Sequence, residues 1–102
     1  MSLLSISQIN ENLARIQDWN LEDGGKSIIK NFEFKDFGQA VRFINKISEI
    51  AEQEKHHPDL RLHDFNKLDV KLSTDSLGGL TEKDFALALK IEESIKNAED
   101  NK

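Results

Sequence analysis

Apolar residues near the start of the chain recur three and four positions apart, which is the spacing of one face of a helix. They are Ile6, Ile9, Leu13 and Ile16. Ser5 and Gln8 have the form of a capping box, in which two side chains satisfy free backbone N–H groups at a helix start. The pattern therefore predicts a short amphipathic helix that ends near Gln17.

Two later stretches alternate apolar and polar residues, as half-buried strands do. In the first, Ile28 and Phe32 share one parity, with Lys30 between them as an exception. The turn Asp23-Gly24-Gly25 precedes this stretch and allows the positive φ angles of a tight hairpin. The second covers residues 60–74 and is expected to fold as one or two strands.

Helical spacing returns in two longer segments. One follows Asp36, a plausible N-cap, and must stop at or just before the pair His56-His57, because Pro58 cannot continue a helix. The other begins near Thr81 and Asp84, which occupy capping-box positions. Strands joined by a Gly-Gly hairpin, together with these helices, predict an α+β domain with an antiparallel sheet covered on one face. At 102 residues without a linker, we expect residues 1–102 to form a single domain.

Charge and composition narrow the functional classes. The formal net charge of −5 disfavours nucleic acid and anionic membrane surfaces as direct partners. The chain has no cysteine, which removes disulfides and thiolate metal sites. No apolar stretch is long enough to span a membrane, and the opening residues lack a basic segment, so we expect a cytoplasmic protein.

Two of the three histidines, His56 and His57, stand side by side before the only proline, Pro58. Glu52 lies four residues before His56, so on a continuous helix its carboxylate would orient and charge the imidazole. Such a pair at a helix C-terminus would make a competent proton donor. The same spacing also fits an exposed ion pair worth only about 0.3–0.5 kcal/mol, and spacing alone does not choose between the two.

A metal site at the histidine pair is the rival interpretation, with Glu52 and either Asp75 or Asp84 as further ligands. Adjacent residues point in different directions, and no HExxH pattern is present, so we expect no metal. Gly78-Gly79 precedes a helix but lacks the phosphate-loop signatures and is interpreted as a turn. Asp84 also stands where a capping carboxylate belongs.

Together these residues resemble the pterin-4a-carbinolamine dehydratase family. The resemblance covers roughly residues 19–95 and rests first on Glu52-x-x-x-His56-His57-Pro58, an aromatic at Phe65, Gly78-Gly79-Leu80-Thr81 and Asp84. The supporting pattern is Phe32-x-Phe34-Lys35-Asp36-Phe37, with Ala40 and Phe43. These motifs at these spacings form a more specific signal than any one of them.

The resemblance implies a four-stranded antiparallel sheet with three helices packed on one face, assembled as a homodimer or tetramer. It also implies dehydration of 4a-hydroxytetrahydrobiopterin to quinonoid dihydropterin, which recycles the product of aromatic amino acid hydroxylases. Such a hydroxylase would be a candidate protein partner. No metal or organic cofactor is required, because imidazoles can carry out the general acid and base steps near neutral pH.

The site residues implied by the resemblance follow by position. Catalysis would use His56, His57, Glu52 and Asp75, with Glu52 orienting His56. The pterin would be bound by His56, His57, Pro58, Thr74, Asp75, Ser76 and Leu77. Phe65 and Asp84 would support the site.

Two positions depart from the family pattern. Asp75 stands where the family has a third catalytic histidine or occasionally a tryptophan, and Phe65 replaces the common tyrosine. A carboxylate accepts protons, whereas an imidazole can also donate them. This divergence favours a second hypothesis, a non-catalytic binding or assembly module, because the resemblance extends to dimerisation cofactors for a transcription factor and to assembly factors for a carbon-fixing enzyme. A protein that only binds pterin is a third hypothesis.

Overall fold

Three helices and four strands make up the computed structural model, which describes the backbone of residues 1–100 and the side chains of residues 1–96. The helices are α1 Ile6–Leu13, α2 Phe37–Glu54 and α3 Glu82–Asp100. The strands are β1 Asn20–Glu22, β2 Ser27–Glu33, β3 Asp59–His63 and β4 Lys67–Leu72. The predicted capping box is present at the start of α1, although this helix ends four residues earlier than expected.

The strands form one antiparallel sheet in the order β1-β2-β4-β3. Phe32 pairs with Leu68 and Ile28 with Leu72, so apolar residues of β2 and β4 lie side by side on one face. Apolar residues of all three helices join this face in one core. The predicted α+β fold, a four-stranded antiparallel sheet with three helices on one face, is confirmed. Within the part of the chain described, no helix combines the length and apolar character needed to cross a membrane.

Lys30 is the charged residue on the core-facing parity of β2. Its ammonium lies 2.6 Å from Glu92 Oε1 on α3 and 5.0 Å from the centre of the Phe32 ring. Trp19 Nε1–H donates to the same glutamate oxygen at 2.9 Å. A paired charge at the rim of the core costs much less than an unpaired one, which explains why the strand tolerates this exception.

The segment 60–74 divides into two strands at a hairpin turn. Asp64 and Phe65 both have left-handed backbone angles, with φ of 49° and 55°. Asn66 holds the turn to the neighbouring strand, because its side chain donates to the Phe34 carbonyl at 2.8 Å and its own carbonyl accepts from Phe34 N–H at 2.9 Å. The turn leaves the Phe65 side chain 63% exposed.

The end of α2 determines the direction in which the histidine pair points. The helix stops at Glu54, and Lys55 adopts a left-handed conformation with φ of 54°. Lys55 N–H then donates to the Glu52 carbonyl, and His56 N–H donates to the Ala51 carbonyl at 3.1 Å. These two bonds define a Schellman motif, here built without the usual glycine. The chain reverses immediately before His56.

Candidate active site

His56 forms the shortest hydrogen bond between ionisable side chains around the predicted site. Its Nε2 lies 2.6 Å from Asp84 Oδ1, on the first turn of α3. The imidazole is 12% exposed and the carboxylate is fully buried. Asp84 sits at the N-terminus of α3, where free backbone N–H groups and the helix dipole favour negative charge. The carboxylate therefore accepts a hydrogen bond from Nε2–H, and this bond fixes the orientation of the ring.

Two buried threonines complete the surroundings of Asp84. Thr74 Oγ1–H donates to Asp84 Oδ2 at 2.8 Å, and Thr81 N–H donates to the same oxygen at 2.9 Å. The two threonine hydroxyls lie 2.8 Å apart. Because Thr74 uses its one hydroxyl proton on Asp84, Thr81 must be the donor in this third bond. Thr81 Oγ1 in turn accepts from Lys83 N–H at 3.3 Å.

The other ring nitrogen of His56, Nδ1, is not held by Asp84. Among the side chains described, no buried nitrogen or oxygen lacks a hydrogen-bond partner. Nδ1 of His56 makes no hydrogen bond within that part of the chain, so this atom must reach the surface. His56 thus presents Nδ1 outward, while Nε2 is held from behind by Asp84.

The prediction that Glu52 contacts His56 is wrong. Glu52 Oε2 instead accepts from His57 Nε2 at 3.0 Å. The reason is the chain reversal at Lys55, which ends the helical geometry that a spacing of four residues requires. Both members of the Glu52–His57 pair are largely exposed, at 74% and 66%. This pair is far more exposed than the buried His56–Asp84 pair.

The loop between β4 and α3 carries the remaining predicted residues. Thr74 is buried, and the following Asp75, Ser76 and Leu77 form an exposed turn. Asp75 Oδ1 accepts from Ser73 Oγ–H at 2.9 Å. Pro58 is half-buried directly after the histidine pair. These positions remain predictions as pterin contacts.

Backbone bonds from a single residue close this loop. The Thr74 carbonyl accepts from the backbone N–H groups of Leu77, Gly78 and Gly79, and Thr74 N–H donates to the Gly79 carbonyl at 2.8 Å. Gly78 has φ of 71°, which a residue without a side chain adopts at little cost. Gly78-Gly79 is therefore a structural turn, as the sequence predicts.

His63, the third histidine, lies on the polar face of the sheet and is only 27% exposed. Its Nδ1 is 2.9 Å from Asp64 and its Nε2 is 3.2 Å from Asp69. Hydrogen bonds to Asp64 and then Asp69 raise the pKa of His63 above its ordinary value. Burial raises the pKa of Asp69, but hydrogen bonds with Asn31 and His63 outweigh this effect and leave that pKa lowered. The cluster therefore favours the charged forms of His63 and Asp69 on the polar face of the sheet.

No three histidine or carboxylate side chains in the described part of the chain are arranged to hold a metal ion. Two grooves of about 350 and 380 Å³ run beside α1 and the start of α3. Their walls contain none of the predicted site residues and no histidine. The chemistry available for proton transfer is concentrated at His56 and His57.

Comparisons with known proteins show which family the chain resembles over most of its length. The family model described as pterin 4 alpha carbinolamine dehydratase matches residues 2–94. A relative from Chloroflexus aggregans, provisionally named pterin-4-alpha-carbinolamine dehydratase, is 41% identical over 95 residues, covering 93% of this chain and 99% of that protein.

Two solved structures share the fold. A Brucella melitensis protein described as a transcriptional coactivator/pterin dehydratase superposes with a TM-score of 0.84 and 36% identity, over 90% of this chain and 97% of the other. A pterin dehydratase-like protein identified as a RuBisCO assembly factor of the alpha-carboxysome superposes with a TM-score of 0.64, over 76% of this chain and 88% of the other. At 18% identity, the second likeness concerns the fold alone.

Proposed function

Because the chain belongs to the pterin-4a-carbinolamine dehydratase family, we propose that it dehydrates 4a-hydroxytetrahydrobiopterin to quinonoid dihydropterin. The observation that carries the proposal is the 2.6 Å bond between a nearly buried imidazole, His56, and a fully buried carboxylate, Asp84. A histidine held in one orientation by a carboxylate, with its second nitrogen at the surface, is an arrangement suited to proton transfer.

The reaction needs two proton movements and no redox change. The bond between C4a and the hydroxyl oxygen breaks as that oxygen gains a proton and leaves as water. The N5–H bond gives up its proton to a base, and its electron pair forms the double bond between N5 and C4a. One group must donate a proton and another must accept one.

We assign proton donation to His56 and proton acceptance to His57. The bond between Asp84 and Nε2 holds the ring, so that a protonated Nδ1 would face the departing hydroxyl. His57 is 66% exposed and can pass its proton to solvent, with Glu52 as its partner. Asp75 would accept a hydrogen bond from the pterin ring, together with the turn that includes Ser76 and Leu77, and Pro58 would pack against the ring.

Turnover measurements with the purified protein test this proposal. The rate of 4a-hydroxypterin dehydration should exceed the uncatalysed rate across several pH values near neutrality. A rate equal to the uncatalysed one at every pH would exclude the enzyme. If His57→Ala retains the wild-type rate while Asp75→Asn loses it, the base is Asp75 and the assignment to His57 is wrong.

A second candidate function is a binding or assembly module without catalysis. Asp75 at the usual histidine position favours it, as do the exposed aromatic side chains of Phe37 and Phe65, at 54% and 63%. The fold likeness to a RuBisCO assembly factor makes the idea reasonable. Affinity capture from cell extract without any stable partner, together with measurable pterin turnover, would exclude this role. Saturable pterin binding in calorimetry without turnover would instead favour a pterin-binding protein.

The setting of the protein is also proposed. We expect residues 1–102 to act as one domain in a cytoplasmic homodimer or tetramer, which light scattering can measure. An aromatic amino acid hydroxylase, whose product is the proposed substrate, is the expected metabolic partner.

A further inference from the structure

Thr74 connects the two halves of the candidate site. Its backbone carbonyl and N–H close the loop that holds Asp75, Ser76 and Leu77. Its side-chain hydroxyl reaches in the opposite direction and donates to Asp84 Oδ2 at 2.8 Å. The residue is 3% exposed, so its hydroxyl has little access to water. One buried side chain thus links the proposed pterin loop to the carboxylate that holds His56.

The hydrogen-bond directions in this network are fixed by counting donors. Thr81 Oγ1 accepts a hydrogen bond from Lys83 N–H, and its own O–H donates to Thr74 Oγ1. The Thr74 O–H donates in turn to Asp84 Oδ2. Asp84 Oδ2 accepts two bonds in this way, which leaves Oδ1 for His56. Rotation of the carboxylate would break the three bonds that Asp84 accepts from His56, Thr74 and Thr81. The Thr74 hydroxyl therefore limits the orientations open to Asp84 and, through it, to His56.

Helix capping does not account for Thr74. At the cap of α3, Thr81 N–H donates to Asp84 Oδ2, and Thr81 Oγ1 accepts from Lys83 N–H. Thr74 lies before the loop, ten residues from Asp84. Its hydroxyl donates to the Asp84 side chain and not to the backbone at the start of the helix. Valine has nearly the same shape, but it would leave the buried Thr81 hydroxyl without its acceptor and Asp84 Oδ2 with one donor fewer.

We propose that Thr74 is a positioning residue of the dehydratase, and that its hydroxyl keeps Asp84 and the hydrogen bond from His56 Nε2–H to Asp84 in place when pterin occupies the loop. The role rests on the proposed function as far as turnover is concerned. The orientation of His56 in the free protein does not depend on turnover and can be measured separately.

The test compares Thr74→Val with Thr74→Ser, which keeps the hydroxyl. In the valine variant, kcat should fall about tenfold with little change in KM, as supporting residues behind a site typically cause. Ring ¹⁵N shifts of His56 should change from one Nε2–H tautomer to a mixture. Thr74→Ser should restore both. Ser94→Ala removes another buried hydroxyl, one that bonds only the Ile91 carbonyl, and should leave kcat and the His56 spectrum unchanged.

The outcomes separate this proposal from the proposed function. A single Nε2–H tautomer that persists in Thr74→Val overturns the positioning role, whether or not the protein turns over pterin. A changed tautomer in a protein without turnover supports the positioning role and excludes only the enzyme. If Thr74→Val does not fold, the wild-type protein still decides: the Thr74 hydroxyl proton should exchange slowly with water, and fast exchange would overturn the proposal.

Discussion

Asp84→Asn is expected to invert the tautomer of His56 and to remove most of the proposed activity. The backbone N–H of Thr81 and the hydroxyl of Thr74 both point at Oδ2, so the asparagine must keep its oxygen there. Its NH₂ group then faces His56 Nε2, which has to give up its proton and become an acceptor. The proton moves to Nδ1, and the negative charge beside the ring is lost.

The magnitude follows from the charge that is lost, because all three bonds of the side chain persist but become neutral. A hydrogen bond to a charged group contributes about 1.5–3 kcal/mol and a neutral one about 0.5–1.5 kcal/mol, so we expect a loss of at least about 1 kcal/mol. For a chain of this size, that loss lowers the unfolding temperature by at least roughly 4–8 °C. Activity should fall by at least about a hundredfold, the lower end of what one general acid contributes.

Three measurements on Asp84→Asn check these values. Urea unfolding gives the loss of stability, initial rates of 4a-hydroxypterin dehydration give the loss of activity, and ring ¹⁵N shifts identify the His56 tautomer. Glu52→Gln is the matched control, because it makes the same chemical change in an exposed pair and should alter stability by no more than about 0.5 kcal/mol.

Two results would refute the reasoning. If His56 retains Nε2–H in Asp84→Asn, the buried carboxylate does not control the proton. If Asp84→Asn and Glu52→Gln lose equal stability, burial of the first pair has no energetic consequence, contrary to its 2.6 Å geometry.

His56→Ala should lose much more dehydration activity than His63→Ala, measured side by side, because His63 lies in the sheet-surface cluster; equal losses would contradict the assigned roles. Hydrogen bonds to Asp64 and then Asp69 raise the pKa of His63, so its stabilising contribution is complete below about pH 6.5 and is lost as the pH rises through the raised value. The stability difference between wild type and His63→Gln in urea should therefore shrink between pH 6 and 9, and a constant difference would argue against the cluster. Lys55→Gly should increase the free energy of unfolding by up to about 1 kcal/mol, because glycine adopts a φ of 54° without strain; a decrease would show that the lysine side chain contributes more than the backbone strain costs.

Much of the fold follows from local pattern. Ile28 and Phe32 share one parity of β2 because one face of this strand is buried, and this spacing can be seen in the sequence. The hairpin at Asp64 and Phe65 gave no such signal, since neither residue is typical of left-handed backbone conformation in the way that glycine is. The pattern therefore left open whether residues 60–74 form one strand or two.

The site was only partly predictable for the same reason. Pro58 correctly placed the end of α2 before the histidines, but Lys55 carries no mark of the left-handed turn that moves Glu52 from His56 to His57. Asp84 was expected as a helix cap, and it does bond Thr81 N–H. Its second oxygen, directed at His56, depends on packing between elements 28 residues apart, which no local pattern reports.

The energetic cost of the Asp84 cluster bears on whether the protein is a catalyst or only a scaffold. A fully buried carboxylate must be completely hydrogen-bonded, and an apolar side chain at the same position often gives equal or greater stability. Capping explains the bond to Thr81 N–H, but an exposed cap would serve the helix equally well. The bonds to Thr74 and His56 are not needed for capping, and they hold an imidazole whose free nitrogen reaches the surface. A pure assembly module has no use for a fixed imidazole proton, so this cluster favours the dehydratase over the scaffold.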